Sequence, residues 1–267
     1  MICPLCHSSK YKKIFTTTNF HGRHEYGKQK ISFNQCQNCD CLFPAVKTDN
    51  AFYKKYYPKK YNTNSPLLEK LWINFSLFVK KTYLPQKGSL LDVGCGKGEF
   101  IKSLPSTIKA TGIDINPLKI DNINLIQGDF LKYKFNKKFD IITFWHSLEH
   151  FSNPKNVTLK ALNLLKPNGK IIISLPNTNS LAFKIGQQRW FHLDAPRHLF
   201  LPNDKNIHLL FPKNTNILIS HNPFEFPLDL FWSLKNKAYL RFFYPILKIL
   251  DRETMTITVT KSKTSQL

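Results

Sequence analysis

The sequence predicts an α/β fold, in which helices cover both faces of a mostly parallel sheet and a small cysteine-rich module precedes it. Between residues 86 and 180, short apolar runs alternate with amphipathic segments, which is typical of repeated βα units. Before residue 50 the chain contains two C-x-x-C pairs. We therefore divide the 267 residues into a module over 1–50, a helical linker or lid over 51–85 and a main domain over 86–267.

The cysteine-rich module is predicted to be a zinc ribbon. Each C-x-x-C pair places two thiolates on one tight turn, so the two pairs can close a tetrahedral site. The four predicted ligands are Cys3, Cys6, Cys36 and Cys39. Cys41 and His7 lie next to them in the sequence, so the ligand set stays open at this point. A site of four thiolates has no position for water, and the zinc is expected to be structural.

The linker begins with an aromatic and basic run over residues 52–57. Such a run can stack on nucleic-acid bases or form a lid over a ligand, and we favour the lid. Pro66 is a typical helix start, and apolar residues then recur at helical spacing as far as residue 79. The pair at 84–85, Leu-Pro, is expected to end this helix.

The main domain is predicted to contain seven strands. The first strand ends at Asp92, and the other six cover 110–114, 124–127, 139–145, 170–176, 218–220 and 257–259. A helix is predicted over 155–165, and residues 167–169 are expected to stop it. Residues 189–200 have no clear period and are expected to form a loop. Residues 228–250 are largely apolar and are expected to form a helical hairpin over the site, with a peripheral membrane contact as the alternative.

The glycine turn after the first strand indicates which ligand the sheet binds. Residues 94–98 have the spacing G-x-G-x-G, which lets the backbone pass close to a ligand. Dinucleotide sites have G-x-G-x-x-G and hold a pyrophosphate. Here Asp92 and Glu99 flank the turn and would repel a pyrophosphate, whereas they suit an ammonium and a sulfonium. With Asp114 at the end of the second strand, this charge pattern favours S-adenosylmethionine over NAD.

The composition is that of a basic protein without a membrane span. The formal net charge is +22, but only five of the 39 basic residues are arginine, the residue that phosphate recognition favours. A broadly basic surface is therefore preferred, and a nucleic-acid surface stays open as the alternative. No apolar run approaches the ~20 residues of a membrane span. Six cysteines without a visible secretory signal indicate a reducing compartment, so we expect a cytoplasmic protein.

Five motifs resemble those of class I S-adenosylmethionine-dependent methyltransferases. They cover residues 91–98, 112–114, 128–130, 139–142 and 165–170. The resemblance implies a Rossmann-like, mostly parallel seven-stranded sheet. Within this family, the cysteine module and residues 192–198 are similar to a bacterial subgroup associated with sugar and cell-surface polysaccharide pathways.

The resemblance also implies roles for individual residues. The residues assigned to the cofactor are Asp92, Gly94, Cys95, Gly96, Asp114, Ile115, Asp129, Phe130 and Trp145. Asp92 would attract the ammonium, Asp114 would accept from the ribose hydroxyls, and Asp129 from the adenine amino group. Gly94 and Gly96 would admit the methionine part, and Ile115 and Phe130 would pack on the adenine ring. Trp145 and His146 would face the sulfonium and the methyl acceptor.

Several histidines are candidate general bases for a hydroxyl acceptor. The catalytic candidates are His146, His192 and His198, with His150 as a further possibility. Arg189 and Arg197 are expected to hold a phosphate of the acceptor.

His146, Glu149 and His150 would share one face if a helix starts after the fourth strand, and two histidines with a carboxylate can bind a divalent metal. Related quinone O-methyltransferases carry a carboxylate at the position of His146. A structural role for these residues is preferred over the metal site.

The predicted function is methyl transfer from S-adenosylmethionine to a small molecule. The expected acceptor is a sugar or a nucleotide-sugar of cell-surface polysaccharide or secondary metabolism. Three alternatives stay open: an RNA or protein methyltransferase that binds its substrate through the ribbon, a quinone-type O-methyltransferase, and a binding protein without catalysis. The sequence does not indicate the atom methylated or the oligomeric state.

Overall fold

The structure is a computed structural model that describes residues 1–18, 30–49, 52, 56, 67–116, 123–221 and 244–262. The strands are β1 (Tyr11–Thr18), β2 (Lys30–Cys36), β3 (Leu42–Pro44), β4 (Gly88–Val93), β5 (Ile108–Asp114), β6 (Leu125–Gln127), β7 (Phe139–Trp145), β8 (Leu165–Pro176), β9 (Thr215–Ser220) and β10 (Thr254–Lys261). The α-helices are α1 (Leu67–Thr82), α2 (Glu99–Lys102), α3 (Pro154–Asn163), α4 (Leu181–Gly186) and α5 (Tyr244–Leu250).

The main sheet confirms the predicted fold class. Its seven strands have the order β6-β5-β4-β7-β8-β10-β9. The strands from β6 to β8 are parallel, and β10 is antiparallel to both of its neighbours. Because the parallel strands end at one edge, the loops that follow β4, β5, β6 and β7 meet there.

Helices cover both faces of this sheet. Leu90 faces the side where Leu77 of α1 and Phe100 of α2 pack. Leu91 faces the other side, where Val157 of α3 lies. Consecutive residues of a strand point to opposite faces, so a strand that is covered on both sides must be apolar at successive positions.

Two segments differ from the prediction. The helix predicted over 155–165 ends at Asn163, because Leu165 already pairs with Phe139 and begins β8. The residues 167–169 that were expected to stop the helix instead form an irregular stretch of β8, and Asn168 has a φ of 62°. The predicted loop over 189–200 is preceded by α4 and contains short 3-10 turns.

The N-terminal module is a small antiparallel sheet of order β1-β2-β3. Its cysteines, Leu5 and Phe43 belong to the same apolar core as β4, β7 and β8.

Only Phe52 and Tyr56 of the aromatic run are described, and the lid over a ligand stays a prediction. Phe52 and Tyr56 are buried against Leu199, and their ring centroids lie 4.9 Å apart. Most of the predicted apolar hairpin over 228–250 lies outside the described residues. The described part of this segment is α5. Ile246 and Ile249 of α5 are exposed. Among the described residues, no helix combines the length and apolar character needed to cross a membrane.

Candidate active site

The glycine turn after β4 forms one side of the site. Gly94 and Gly96 have φ values of 75° and 52°, which are unfavourable for residues with a Cβ. A Cβ on Gly94 would lie 2.4 Å from the Cβ of Ser147, so Gly94 makes room for this side chain rather than for a ligand. Among the described residues, no atom lies within 4 Å of the position of a Cβ on Gly96. In the described part of the chain, the open space at this turn therefore lies beside Gly96 and not beside Gly94.

Asp114 lies at the end of β5 beside this space. Its Oδ2 accepts from the backbone amide of Gly96 at 2.9 Å, and its Oδ1 accepts from the amide of Asn116 at 2.8 Å. A carboxylate oxygen has two lone pairs, so each oxygen can still accept another hydrogen bond. Ile115 follows directly and has half of its surface exposed (50%), which leaves an apolar side chain available to an aromatic ring.

Asp92 is buried at the end of β4 and accepts from Thr143 Oγ1 at 2.7 Å. Burial raises the pKa of Asp92 to about 6, with the Thr143 hydrogen bond and the charge of Lys80 opposing this shift. A cationic ligand beside such a buried carboxylate would stabilise its ionised form, because the ligand replaces the lost hydration.

Cys95 is a neutral thiol between the two aspartates. Burial, followed by the charges of Asp92 and Asp114, raises the pKa of Cys95 above its usual range. A Cβ on Gly112 would lie 2.6 Å from the Cys95 Sγ, so a glycine is needed where β5 passes this side chain.

Asp129 and Phe130 follow β6, and only the first faces outward. Asp129 Oδ1 accepts from the amide of Leu131 at 2.8 Å, and its side chain is 37% exposed. Phe130 is buried in the core, and its ring meets Phe144 edge-on at 6.0 Å between centroids. Of the two apolar residues that were predicted to pack on an adenine ring, Ile115 is therefore the exposed one.

Trp145 closes the site on the side of α1. Its ring packs against Phe100 at 5.4 Å between centroids, and Lys80 Nζ lies 5.4 Å from the ring centroid. The indole Nε1 is buried and has no hydrogen-bond acceptor among the described residues. The positive charge of Lys80 also favours the ionised form of Asp92 and lowers its pKa, so α1 contributes a cation to this edge of the sheet.

His146 occupies the turn directly after β7. Its backbone has a φ of 50°, its Nδ1 lies 3.5 Å from Glu149 Oε1, and its Nε2 lies 3.3 Å from Ser174 Oγ. The His146 side chain is 17% exposed, whereas Glu149 is fully buried. Burial would raise the pKa of Glu149, but the contact with His146 and the nearby histidines lower it to about 2. Glu149 is thus an ionised carboxylate beneath His146.

The structure brings His150 and His198 together from two distant segments. Their ring centroids lie 4.8 Å apart. His198 Nε2 lies 3.8 Å from Glu149 Oε1 and 3.7 Å from Asp194 Oδ2. Burial is the main cause that lowers the pKa of both histidines, that of His150 to about 4, so both are neutral near pH 7.

Arg197 forms an ion pair with Asp194. Burial opposes the ionisation of Asp194, but Arg197 and His198 hold its pKa below the usual range. The Arg197 guanidinium thus already pairs with a partly buried carboxylate, and its predicted contact with a phosphate of the acceptor stays a prediction. Arg189 is partly exposed.

His192 is a buried neighbour of His146 rather than a surface group. The two rings are stacked with centroids 6.1 Å apart. Burial lowers the pKa of His192 to about 4, and Glu253 opposes this shift from 3.8 Å away. Glu253 also accepts from Trp190 Nε1 at 3.1 Å and from Lys248 Nζ at 3.1 Å. Sequence reasoning missed Glu253, because nothing in its local sequence distinguishes it.

Among the described residues, two groups of side chains have spacing that can hold a metal ion. Cys3 and Cys39 have Sγ atoms 3.6 Å apart, those of Cys6 and Cys36 are 3.5 Å apart, and all four lie within 4.8 Å of one another. Four Zn–S bonds of about 2.3 Å at tetrahedral angles place sulfur atoms about 3.8 Å apart, so the set fits zinc. Cys41 lies outside this group, with its Sγ near two backbone carbonyls.

The second group consists of Glu149, His150 and His198, each with one ligand atom within 4.8 Å of the others. The predicted trio contained His146 in place of His198. In the structure His198 takes the place of His146 in this group. The element after β7 is a short 3-10 turn over Leu148–His150, which does not place His146 and His150 on one helix face.

The order of the seven strands, with β10 reversed between β8 and β9, defines a Rossmann-like methyltransferase fold. Comparison with known families agrees. Residues 64–217 match the methyltransferase domain family, and the chain belongs to this family.

Relatives with curated functions include ubiquinone biosynthesis O-methyltransferases. The protein from Glaesserella parasuis is 33% identical over 114 residues, which are 36% of this chain and 48% of the relative. The protein from Coxiella burnetii is 32% identical over 123 residues, 39% of this chain and 53% of the relative. The chain thus matches about half the length of these relatives.

Solved structures with the same fold include two methyltransferases bound to SAH. Coclaurine N-methyltransferase with N-methylheliamine has a TM-score of 0.50 at 12% identity. The match covers 75% of this chain and 74% of the chain of that enzyme. The plantazolicin methyltransferase BpumL has a TM-score of 0.50 at 18% identity, over 73% of this chain and 90% of its own. At these identities the likeness concerns the fold alone.

Proposed function

We propose that this protein is an S-adenosylmethionine-dependent methyltransferase that acts on a small molecule with a hydroxyl acceptor. The observation that carries the proposal is the arrangement of Asp114. Two backbone amides hold its carboxylate at the end of β5, and the space beside Gly96 is open to a ligand. This arrangement suits the two hydroxyls of a ribose.

The charges around this space fit the proposed cofactor. Asp92 supplies a buried carboxylate for the ammonium of the methionine part, and Asp129 offers an acceptor for the adenine amino group. Ile115 provides an apolar contact for the adenine ring. In this pose the cofactor lies along the strand ends, and its methyl group points toward the turn after β7.

On the acceptor side we assign His146 as the general base. Glu149 lies beside Nδ1 and favours the tautomer with hydrogen on that nitrogen, so Nε2, which lies 3.3 Å from Ser174 Oγ, carries the lone pair that can accept a proton. The methyl group moves from the sulfonium to the acceptor oxygen, the S–C bond breaks, and the hydroxyl proton passes to His146. SAH and a methyl ether are the products. His192 and His198 pack behind His146 and Glu149, and we propose that they position these two residues.

For the acceptor we propose a sugar or a nucleotide-sugar, supported by the resemblance of the cysteine module and residues 192–198 to the polysaccharide-pathway subgroup. The curated relatives support a second candidate, a quinone-type phenol, at 33% identity over 36% of this chain. Both are hydroxyl acceptors, which agrees with a histidine base.

The proposed zinc in the N-terminal module is structural, because the four sulfur atoms leave no position for water or substrate. All described cysteines are free thiols, and a reducing compartment such as the cytoplasm suits them.

The experiment that tests this function combines calorimetry with a transfer assay. S-adenosylmethionine and SAH are titrated into the purified protein, and we expect one saturable site for each. A labelled methyl group is then offered with sugars, sugar nucleotides, substituted catechols and RNA as separate acceptors. Transfer to a sugar supports the first candidate and transfer to a catechol the second. Transfer to RNA alone would overturn the small-molecule proposal, and failure to bind either cofactor form would overturn the function.

A further inference from the structure

The segment 187–206, called the histidine segment below, carries the groups that surround Glu149, yet it has little regular structure. It contains short 3-10 turns at Gln187–Arg189 and Phe191–Leu193, and no sheet hydrogen bonds except one isolated bridge. A segment of this kind keeps a defined position only if other elements hold it. The contacts at its two ends show that the cysteine module does so.

At its first end the histidine segment is attached to β1. Thr17 is buried, and its hydroxyl donates to the carbonyl oxygen of Gln188 at 2.7 Å. Behind this bond, Phe33 of β2 and Trp190 pack in one apolar cluster together with Leu193. The position of His192 thus depends on side chains of the N-terminal module.

At its second end the segment is attached to the second cysteine pair. Leu42 and Leu201 exchange two backbone hydrogen bonds of 3.0 and 2.7 Å. Asn206 is buried, and its Nδ2 donates to the carbonyl oxygen of Cys39 at 2.7 Å. Cys39 is itself one of the four proposed zinc ligands, so the turn that the metal closes is also the turn that Asn206 contacts.

Between these two attachments the segment reaches the proposed base. The amide of Leu199 donates to the carbonyl oxygen of Glu149 at 2.8 Å, and the imidazole of His198 lies 3.8 Å from the Glu149 carboxylate. A shift of the segment would therefore move the neighbours of Glu149, which lies beneath His146. The cofactor side, at Asp92 and Asp114, has none of these contacts among those described.

We infer that the cysteine module is a clamp that positions the histidine segment, and that metal binding at the four cysteines sets the geometry of the acceptor side while leaving cofactor binding unchanged. Thr17 and Asn206 are positioning residues in this clamp. The inference rests on the proposed zinc site and on the proposed placement of the acceptor. The module thus holds the acceptor side of the transferase from outside the sheet.

Two neighbouring threonines of β1 provide a matched test that needs no metal and no known acceptor. Thr17 bonds across to the histidine segment, whereas the hydroxyl of Thr16 bonds within the module to Ser32 Oγ at 3.2 Å. Thr17→Val should make backbone amides of residues 187–200 exchange with deuterium about fivefold faster, because one hydrogen bond that holds the segment is lost. Thr16→Val should leave that exchange unchanged, and Thr17→Ser should restore it. Equal exchange in Thr17→Val and the wild type would overturn the clamp.

Metal removal from the full-length protein tests the second half of the inference. We expect a chelator to raise amide exchange over 187–206 while the exchange of β4 and β5 and the affinity for SAH stay constant. Unchanged exchange of the segment after loss of the zinc, or an equal rise throughout the sheet, would contradict a clamp controlled by metal. If SAH does not bind even to the metal-loaded protein, the proposed function fails, but the exchange comparison still decides on the clamp.

Discussion

At the scale of single residues, Asp92 shows how the fold changes the charge of a side chain. It is buried, it receives one hydrogen bond from Thr143, and its pKa is raised to about 6 by burial. Because its folded pKa lies above the unfolded value of 3.8, the folded state holds this proton more tightly, and stability falls as the pH rises from about 4 to 6. A cationic cofactor would offset this unfavourable charge.

The affinity for S-adenosylmethionine should therefore depend on pH through Asp92. Only the ionised carboxylate attracts the ammonium, so the Kd should rise as the pH falls below 6, by about tenfold at pH 5. Calorimetry between pH 5 and pH 8 measures this profile. Asp92→Asn should bind more weakly at pH 8 and show a flat profile. A wild-type Kd that is constant over this range would show that Asp92 does not carry the ammonium.

Glu149 should affect methyl transfer rather than cofactor binding. Its carboxylate orients His146 from beneath, so Glu149→Gln should lower kcat by about 100-fold, a typical contribution of general base catalysis. The Kd for SAH should stay within about twofold of the wild type, since Glu149 is a neighbour of the acceptor side. Single-turnover rates with the best acceptor of the panel check this. Equal losses in rate and in cofactor affinity would place Glu149 in the cofactor site instead.

The sequence predicted residues at strand ends better than residues in contact across loops. Asp92 and Asp114 were predicted because each ends an apolar run that is visible in the sequence, and Asp129 was predicted through the resemblance of residues 128–130 to a family motif. The contacts of Glu253 with His192 and of Asp194 with Arg197 were not predicted. The first joins residues far apart in the chain, and the second depends on the conformation of an irregular loop, which no hydrophobic period indicates.

At the scale of elements, the glycine turn is constrained by the neighbouring strand as well as by the ligand. Gly94→Ala should destabilise the fold by about 2–4 kcal/mol, because the residue combines a positive φ with a Cβ position 2.4 Å from Ser147. Gly128→Ala is the matched control, since its Cβ would meet the nearest atom at 3.8 Å. Urea unfolding of both variants measures the difference. Equal stabilities would mean that Ser147 can move away at little cost.

The cysteine module should bind one zinc ion per chain. Cys36→Ser removes one of the four sulfur ligands and should abolish stoichiometric zinc, as measured by metal analysis of the purified protein. Cys95→Ser should retain the zinc, because this thiol lies in the glycine turn and outside the group of four. Zinc retained by Cys36→Ser, or lost equally by both variants, would refute the assigned ligand set.

Elements with a clear apolar pattern were predicted well, whereas the position of their ends depended on hydrogen-bonded pairing between strands. The strand predicted over 139–145 agrees with β7, an apolar run that is buried on both faces. The end of α3 was misplaced by two residues, because the pairing of Leu165 with Phe139 competes with the helix. The helix α4 was missed, since its six residues are too few to display a period.

At the scale of the whole molecule, one apolar core joins the N-terminal module to the main sheet. Leu5 and Phe43 of the module pack in the same cluster as Ile171 and Phe200. The sequence indicated a cysteine module, a linker and a main domain in succession, because it shows composition and spacing but not the contacts between distant segments. The shared core explains how the module can act on the acceptor side from a position outside the sheet.

The most direct test of the central claim compares two aspartates at opposite ends of the parallel strands. Asp114 ends β5 beside the glycine turn, whereas Asp140 begins β7 and accepts from Ser89 and Lys166. Calorimetry with S-adenosylmethionine should show an affinity at least about tenfold weaker for Asp114→Asn, because the ribose loses a charged acceptor. Asp140→Asn should bind like the wild type. Unchanged affinity in Asp114→Asn, or equal losses in both variants, would contradict a cofactor site at this edge of the sheet.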